Sequence, residues 1–267
     1  MLRDITLGQY YPIDSPVHRL DPRIKILLTM AFIVCVFLVG SPLGYLPIAA
    51  YLAWATWMAR LPAKMMLRSM RPLRILLIFT FVLNLFFGTG DTELLRLGFI
   101  RVTQEGLYNA IHFSLRLIFL VIGSSLLTLT TPPVTLTDGL ESLVSPLKVI
   151  KFPAHEMAMM MTIALRFIPT LAEEADKIMK AQSARGADFT SGSLKQRAQA
   201  LIPLLVPLFV SAFRRAGDLA MAMESRCYRG GEGRTRLHVL KTGRKDWLAV
   251  ASIAVLYAVV LLMARYV

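Results

Sequence analysis

The chain has 267 residues, and 55% of them are hydrophobic before its 16 glycines are counted. Soluble domains average about 45–50% apolar residues with glycine included, so this composition excludes an ordinary soluble domain and favours membrane-spanning helices. The net charge of +13 leaves three interpretations: nucleic-acid binding, attraction to anionic lipid, or basic cytoplasmic loops of a membrane protein.

Apolar runs of nearly membrane length recur five times along the chain. They cover 24–39, 43–59, 73–87, 107–129 and 247–263. A helix needs about 20 residues to cross the hydrocarbon core and seldom fewer than about 17, so flanking residues must complete the first three runs by snorkelling. We therefore predict an all-α, polytopic membrane protein with about five transmembrane helices.

The number of basic residues between these runs predicts the orientation of the chain. Residues 1–25 contain four Lys or Arg, the turn 40–44 none, 60–74 five, and 88–105 two, which three acids offset. Because positive loops stay in the cytoplasm, the N-terminus and the segment 132–246 are predicted to be cytoplasmic. This alternation explains most of the positive charge, and no nucleic-acid partner is expected.

The segment 132–246 is rich in helix formers and is predicted to form about three helices before the last span. The first is expected to begin at Thr137 or Asp138 and to end near Val149. Glu141 follows Asp138 by three residues, as in a capping box, which satisfies two free amides at a helix start.

Two longer helices follow in this segment. The first starts after Pro153, is kinked by Pro169, and ends at Gly186, a residue type common just past helix C-termini. The second begins near Ser193. Two prolines are expected to break its apolar first half, and a glycine pair is expected to stop it: Pro203, Pro207, Gly230 and Gly231.

Both of these longer helices end in a small residue followed by arginine. The two ends read Ala184-Arg185-Gly186 and Ser225-Arg226-Cys227. The negative end of the helix dipole stabilises an arginine there without any further role. Alternatively, two such ends on consecutive helices form a paired docking device, since the guanidinium fork can bind a carboxylate with two hydrogen bonds.

At these motifs the sequence resembles the T component of energy-coupling factor (ECF) transporters, the EcfT/CbiQ family, over nearly its whole length. The opening segment 15–25, SPVHRLDPRIK, resembles the family's entry to the first span. Residues 165–169, LRFIP, lead into the first Ala-Arg-Gly motif as in the family. In the second motif, Ser225 stands in place of the alanine and Cys227 in place of the glycine. Because cysteine enters the left-handed conformation less freely than glycine, the helix ends either at Cys227 or near Gly230.

The resemblance implies a subunit that sits between two cytoplasmic ATPases and a small substrate-binding membrane protein, the S component. In the family, two arginine motifs dock into grooves on the ATPases, which bind ATP and Mg²⁺, and the cytoplasmic helices couple their movement to substrate release. The expected docking residues are Ala184, Arg185, Gly186, Ser225, Arg226 and Cys227. The expected organisation is a membrane domain at 1–131, coupling helices at 132–246 and a last span at 247–267, in a prokaryotic plasma membrane.

A methionine-rich stretch opens the second cytoplasmic helix. It contains Met157, Met159, Met160 and Met161. Because methionine repacks easily, this stretch either packs on neighbouring helices or offers an adaptable surface to different S components. The opening segment and the chain length resemble the shared T components, which serve several vitamins, more than the dedicated metal type.

Two other classes of membrane protein would need features that this sequence supplies poorly. A stand-alone permease needs polar groups within its spans, and only Asn84, Asn109 and Arg116 qualify. A membrane enzyme needs a nucleophile with its base, paired carboxylates or a metal set, and no convincing set occurs. The G-x-x-x-x-G-K-[ST] pattern is also missing, so we expect no ATPase activity, catalytic residue, bound cofactor or metal. The permease remains the alternative.

Overall fold

The structure is a computed structural model that describes residues 10–87, 93–97, 100–150, 152–187, 189, 193–231 and 240–266. The chain divides into a first unit, Gly8–Leu140 with Val239–Val267, and a second unit that contains Glu141–His238. The helices are α1 (Pro22–Leu38), α2 (Tyr45–Met58), α3 (Ala63–Ser69), α4 (Arg74–Phe87), α5 (Gln104–Thr130), α6 (Pro133–Val144), α7 (Ala154–Ala184), α8 (Leu194–Ser225) and α9 (Arg244–Tyr266). The strands are β1 (Glu93–Leu97) and β2 (Ile100–Thr103).

The predicted class, a polytopic all-α membrane protein, is confirmed. Four helical stretches within the described residues are long and apolar enough to cross a membrane: Ala63–Phe86, Gln104–Thr130, Gln199–Ser225 and Arg244–Arg265. The first two predicted spans correspond to α1 and α2, which have only 17 and 14 residues. The third stretch lies in α8, so length and composition alone do not separate this predicted cytoplasmic helix from a span.

A short hairpin lies between α4 and α5, where the sequence predicted no element. β1 and β2 pair antiparallel, with Glu93 opposite Thr103 and Leu97 opposite Ile100. β2 leads directly into α5, whose N-cap Thr103 accepts a hydrogen bond from the Gly106 amide at 3.1 Å. Two strands of four or five residues give a weaker periodic signal than the long helices on either side.

The core of the first unit lies where α1, α2, α5 and α9 pack against one another. Its most buried side chains are Phe32, Cys35, Val36, Val39, Tyr45, Ile48, Leu52, Ile253, Leu256 and Val260. α5 approaches α1 closely at Gly123, where an added Cβ atom would collide with the Phe32 ring. Large apolar side chains elsewhere are exposed, such as Ile75 at 81% and Trp57 at 76%. Apolar surface of this extent suits helices that face lipid.

Backbone capping joins the starts of α1 and α9. The Asp21 carboxylate accepts a hydrogen bond from the Arg23 amide at 2.9 Å and so caps α1. The Asp21 amide donates to the buried Asp246 carboxylate at 2.8 Å, and the Gly243 amide donates to its other oxygen at 2.7 Å. One carboxylate therefore satisfies amides from two distant parts of the chain, and a buried carboxylate requires such donors.

A buried lysine joins α1 to the end of α5. The Lys25 ammonium donates to the His18 carbonyl, the Thr130 carbonyl and the Thr131 hydroxyl, each at 3.1 Å. Three acceptors replace the water that the ammonium loses on burial. The 15–25 segment therefore has a structural role: its Asp and Lys fix the first helix to the rest of this unit.

The histidine of the same segment has a hydrogen-bond partner at each ring nitrogen. Its Nε2 lies 3.0 Å from the Tyr11 carbonyl, and its Nδ1 lies 2.7 Å from the Ser15 hydroxyl. A neutral ring with its proton on Nε2 donates to the carbonyl and accepts from the hydroxyl. Burial lowers the pKa of His18 below its ordinary value of 6.5, although the Tyr11 carbonyl opposes the shift.

The first helix after α5 begins earlier than predicted. α6 starts at Pro133, so Thr137 lies inside it, where the hydroxyl donates to the Pro133 carbonyl at 2.8 Å. The predicted cap at Asp138 with Glu141 is therefore wrong. Proline suits the first position of a helix because its fixed φ is already helical and its missing amide is not needed there. A 3₁₀ turn at Ser145–Ile150 continues the segment close to its predicted end.

α7 and α8 are the long elements of the second unit and pack against each other. They begin after Pro153 and close to Ser193, as predicted. α7 runs unbroken through Pro169, and α8 runs unbroken through Pro203 and Pro207, so the predicted break in α8 is wrong. A proline removes one amide from the ladder, and the other hydrogen bonds of a helix of 32 residues keep it continuous.

Candidate docking site

The end of α7 is a Schellman motif, a turn that satisfies the last carbonyls of a helix. The Gly186 amide donates to the Ser183 carbonyl, and the Ala187 amide donates to the Gln182 carbonyl, both at 3.0 Å. Gly186 has a φ of +88°, a left-handed conformation that glycine adopts without steric penalty. Arg185 is the C-cap residue. The helix therefore ends where the sequence predicts.

The end of α8 has the same hydrogen bonds with different residues. The Cys227 amide donates to the Glu224 carbonyl at 2.9 Å, and the Tyr228 amide donates to the Met223 carbonyl at 3.0 Å. Cys227 has a φ of +57° and occupies the left-handed position that Gly186 occupies in the first end. Both helices thus finish in the same type of turn.

This turn fixes the boundary that the sequence left open. α8 stops at Ser225, so the end at Cys227 is confirmed and the continuation towards Gly230 is wrong. A residue other than glycine in the left-handed region costs about 1–2 kcal/mol. The two hydrogen bonds of the turn offset this penalty, since each contributes about 0.5–1.5 kcal/mol.

Arg185 and Arg226 occupy equivalent positions, one residue before the left-handed residue of each turn. Both side chains are exposed, and neither has a hydrogen-bond or ion-pair partner within the part of the chain that the structure describes. The other predicted docking residues are exposed as well: Ala184, Gly186, Ser225 and Cys227. The helix dipole stabilises each cation without occupying its donors. Each guanidinium is therefore available to bind a carboxylate of another protein with two hydrogen bonds.

An ion pair that the sequence did not predict joins α7 to α8. Arg215 Nη2 donates to Glu174 Oε2 at 2.8 Å, and Arg215 Nε donates to the Ser211 hydroxyl at 3.4 Å. A hydrogen bond from Ser211 and the adjacent Arg215 hold the pKa of the Glu174 carboxyl below its ordinary value. In the sequence these residues are ordinary members of two polar helix faces, and helical periodicity cannot pair residues of different helices.

The predicted methionine surface lies on the first turns of α7. Met157, Met160 and Met161 are exposed, by 41%, 59% and 44%, whereas Met159 is half-buried. Three of these four side chains therefore do not pack fully against the described parts of this chain. Flexible, exposed methionines can adapt to partners of different shape, which favours the second of the two interpretations.

Two of the polar residues that a permease would need are already engaged inside the first unit. Arg116 donates to the Val39 carbonyl at 3.2 Å, the Tyr45 hydroxyl at 3.3 Å and the His112 ring at 2.9 Å. Asn84 donates to a carbonyl of its own helix at 2.8 Å. A charged residue within a span is costly unless protein groups solvate it, and Arg116 has such groups. These contacts give Arg116 a structural role.

Known proteins resemble this chain over its whole length. A family model described as a cobalt transport protein, CbiQ, matches residues 14–237. The chain is 54% identical over 266 residues to the energy-coupling factor transporter transmembrane protein EcfT of Thermosediminibacter oceani, with 100% of both chains covered. It is 55% identical over 248 residues to that protein of Acidaminococcus fermentans, covering 93% of this chain and 92% of the relative. It is 46% identical over 258 residues to that of Bacillus subtilis, covering 97% of each.

Proposed function

Because the chain belongs to the family of ECF-transporter transmembrane proteins, the T components, we propose that it couples two cytoplasmic ABC-type ATPases to an S component that binds a vitamin or another micronutrient. The observation that carries this proposal is the matched pair of helix ends, which present Arg185 and Arg226 in the same local geometry. Two equivalent ends suit two similar ATPase subunits. As a transporter's membrane component, the chain is not itself an enzyme.

Each helix end supplies one docking contact in this proposal. The guanidinium of Arg185 or Arg226 enters a groove of an ATPase subunit and binds a carboxylate there, since it has five donors and no partner within the described residues. ATP and Mg²⁺ are bound by the ATPases. When these subunits move relative to each other, α7 and α8 carry the displacement towards the S component, because long helices move largely as rigid rods.

The exposed methionines provide the contact with the S component. The surface formed by Met157, Met160 and Met161 accepts S components of different sequence because thioether side chains change rotamer easily. This adaptability suits a shared T component that serves several vitamins. Leucine substitutions at the three positions keep the surface apolar but stiffen it, so uptake should fall for some substrates and not for others.

Co-purification tests the docking arginines directly. The tagged chain is purified in mild detergent with candidate ATPase subunits, as wild type and as the Arg185→Glu, Arg226→Glu variant. Wild type should capture two ATPase subunits, and the variant should lose both, because the substituted carboxylates repel the groove. Arg214→Glu is the matched control, since Arg214 is also exposed on α8 but lies away from its end.

The outcomes separate the docking site from the family role. Loss of capture in the double variant, with capture kept in Arg214→Glu, supports the proposal. Capture that survives the double charge reversal refutes the assignment of these arginines. Failure of wild type to capture any ATPase subunit refutes the coupling role and favours a stand-alone permease.

The native cysteines test the predicted orientation. Cys227 is exposed and Cys35 is buried, so a membrane-impermeable maleimide should react with Cys227 alone. With the chain expressed without partners, inside-out vesicles should be labelled and intact spheroplasts should not. Labelling of intact spheroplasts would contradict the cytoplasmic location of the α8 end.

A further inference from the structure

The contact between α7 and α8 combines a polar cluster with a loosely packed apolar surface. The polar cluster consists of Glu174, Ser211 and Arg215, with the Arg215–Glu174 hydrogen bond at 2.8 Å. Both charged side chains are partly shielded, with 38% of Arg215 and 26% of Glu174 exposed. A charged pair with bridging hydroxyl hydrogen bonds is directional, so it holds the two helices at one rotation and one separation.

The apolar part of this contact surrounds a cavity. α7 contributes Ile163, Phe167 and Leu171, and α8 contributes a row of alanines with Leu219 and Met223 at its end: Ala212, Ala216 and Ala220. A cavity of about 290 Å³ lies between these residues. Helix crossing angles are normally fixed by side-chain ridges that fit into grooves. An alanine row beside a cavity supplies little of that constraint, which leaves the polar cluster as the main determinant of the angle.

The polar cluster is placed symmetrically with respect to the two docking ends. Arg185 follows Glu174 by 11 residues, and Arg226 follows Arg215 by 11 residues. At 1.5 Å per residue, each arginine lies about 16 Å along its helix from the cluster. With two arms of this length, a change of about 10° in the crossing angle moves the helix ends by about 3 Å relative to each other.

We infer that Glu174, Ser211 and Arg215 form a strut that fixes the crossing angle of α7 and α8 and thereby sets the spacing of the two arginine ends. They are positioning residues, because they act on Arg185 and Arg226 through the helices. The functional part of this inference rests on the proposed docking role. The geometric part does not, and it can be measured on the chain alone.

The distance between the two helix ends is measured by double electron–electron resonance between two spin labels on the full chain in lipid nanodiscs. Labels at Lys180→Cys and Met221→Cys are suitable because both side chains are exposed, by 73% and 63%, and lie near the helix ends. Cys227→Gly removes the exposed native cysteine, and Cys35 is fully buried. The same background is used for every variant.

The strut is opened by Glu174→Gln or Arg215→Gln and restored by the exchange Glu174→Arg, Arg215→Glu. Glu173→Gln is the matched control, because it removes the same charge from the neighbouring, exposed position. Each labelled position lies six residues, about 9 Å, from the cluster, so both opened variants should shift the mean label separation by up to about 1.5 Å or broaden its distribution to that extent. The exchanged pair should recover a wild-type separation, which loss of folding could not produce.

The assembled transporter gives the second readout. With both ATPases bound, the opened variants should hydrolyse ATP but import several-fold less substrate per ATP, while Glu173→Gln and the exchanged pair behave like wild type. Label separations that stay unchanged in both opened variants overturn the strut. If the charge reversal of Arg185 and Arg226 leaves capture intact, the proposed docking fails, whereas the label distances still test the strut. Ser211→Ala should give a smaller shift of the same sign.

Discussion

Gly186→Ala should loosen the end of α7 through backbone conformation alone. Gly186 has a φ of +88°, and a Cβ atom added there would meet no atom of the described residues within 4 Å. The substitution therefore adds only the penalty for placing an L-residue in the left-handed region, about 1–2 kcal/mol. A penalty of this size raises the population of the locally opened helix end about 5- to 30-fold.

Gly217→Ala is the matched control, and its expected effect on local helix opening is the opposite of that of Gly186→Ala. Gly217 lies inside α8, and a Cβ atom added there also meets none of the described residues within 4 Å. Alanine in a helix interior is about 1 kcal/mol more favourable than glycine, so local opening should slow. Hydrogen–deuterium exchange of the amides at 182–187 and 214–221 measures both effects in the intact protein.

Unchanged exchange at 182–187 in Gly186→Ala would refute this reasoning, because the described part of the chain offers no side-chain contact there to compensate for the backbone penalty. Faster exchange in both variants would indicate a general loss of packing instead. Capture of ATPase subunits should weaken only in Gly186→Ala, since the loosened end must become ordered again on binding.

Three further predictions concern other parts of the chain. Cys227→Gly should raise the free energy of opening the α8 end by up to about 1 kcal/mol, because glycine removes the left-handed penalty, and exchange at 223–228 should slow accordingly. Cys227→Ser should leave this exchange unchanged. Lys25→Met should lower the free energy of unfolding of the first unit by about 2–4 kcal/mol, because it leaves carbonyls that accept from Lys25 without a donor. Lys64→Met, at an exposed position, should have little effect on this free energy. His18 has a lowered pKa in the folded state, so its contribution to stability is complete above about pH 6.5 and is lost as the pH falls through the lowered pKa. Thermal unfolding at pH 7 and pH 5 should therefore show a smaller acid effect in His18→Gln than in wild type; an equal effect would contradict a neutral His18.

Long apolar segments were predictable because their signal is carried by many residues. The runs at 107–129 and 247–263 correspond to α5 and α9 within a few residues at each end. A window of about 20 apolar residues has few structural alternatives, since a chain in lipid must satisfy its own backbone hydrogen bonds. The arginine end of α7 was predictable for a related reason, because a helix stop combines a C-cap with a left-handed residue, here Gly186, whereas the end of α8 stayed open between Cys227 and Gly230.

Short-range signals were less reliable where two of them competed. Asp138 with Glu141 matched a capping box, but Pro133 offered an earlier helix start and the helix began there. Pro203 and Pro207 marked a break in α8, but the surrounding hydrogen bonds kept the helix intact. In both cases the outcome depended on neighbouring residues that a local pattern does not include.

Contacts between distant residues could not be predicted from periodicity. Nothing in the sequence pairs Glu174 with Arg215, or Asp21 with Asp246, because each residue follows the polar pattern of its own segment. Lys25 was visible as a charge at the edge of an apolar run. Its three acceptors come from a preceding turn and from the end of α5, which only the folded chain brings together.

The two helix ends show which feature of the arginine motif the fold requires. The residue after the arginine is glycine in one end and cysteine in the other, yet both have positive φ and the same pair of hydrogen bonds. The requirement is therefore a left-handed residue after a C-cap arginine, and glycine is the least strained way to provide it. Because Cys227 adopts this conformation at a penalty that Gly186 avoids, the α8 end should open more readily than the α7 end. The two docking contacts would then share one geometry but differ in local stability, which hydrogen exchange at 182–187 and 223–228 in the wild-type protein can compare directly.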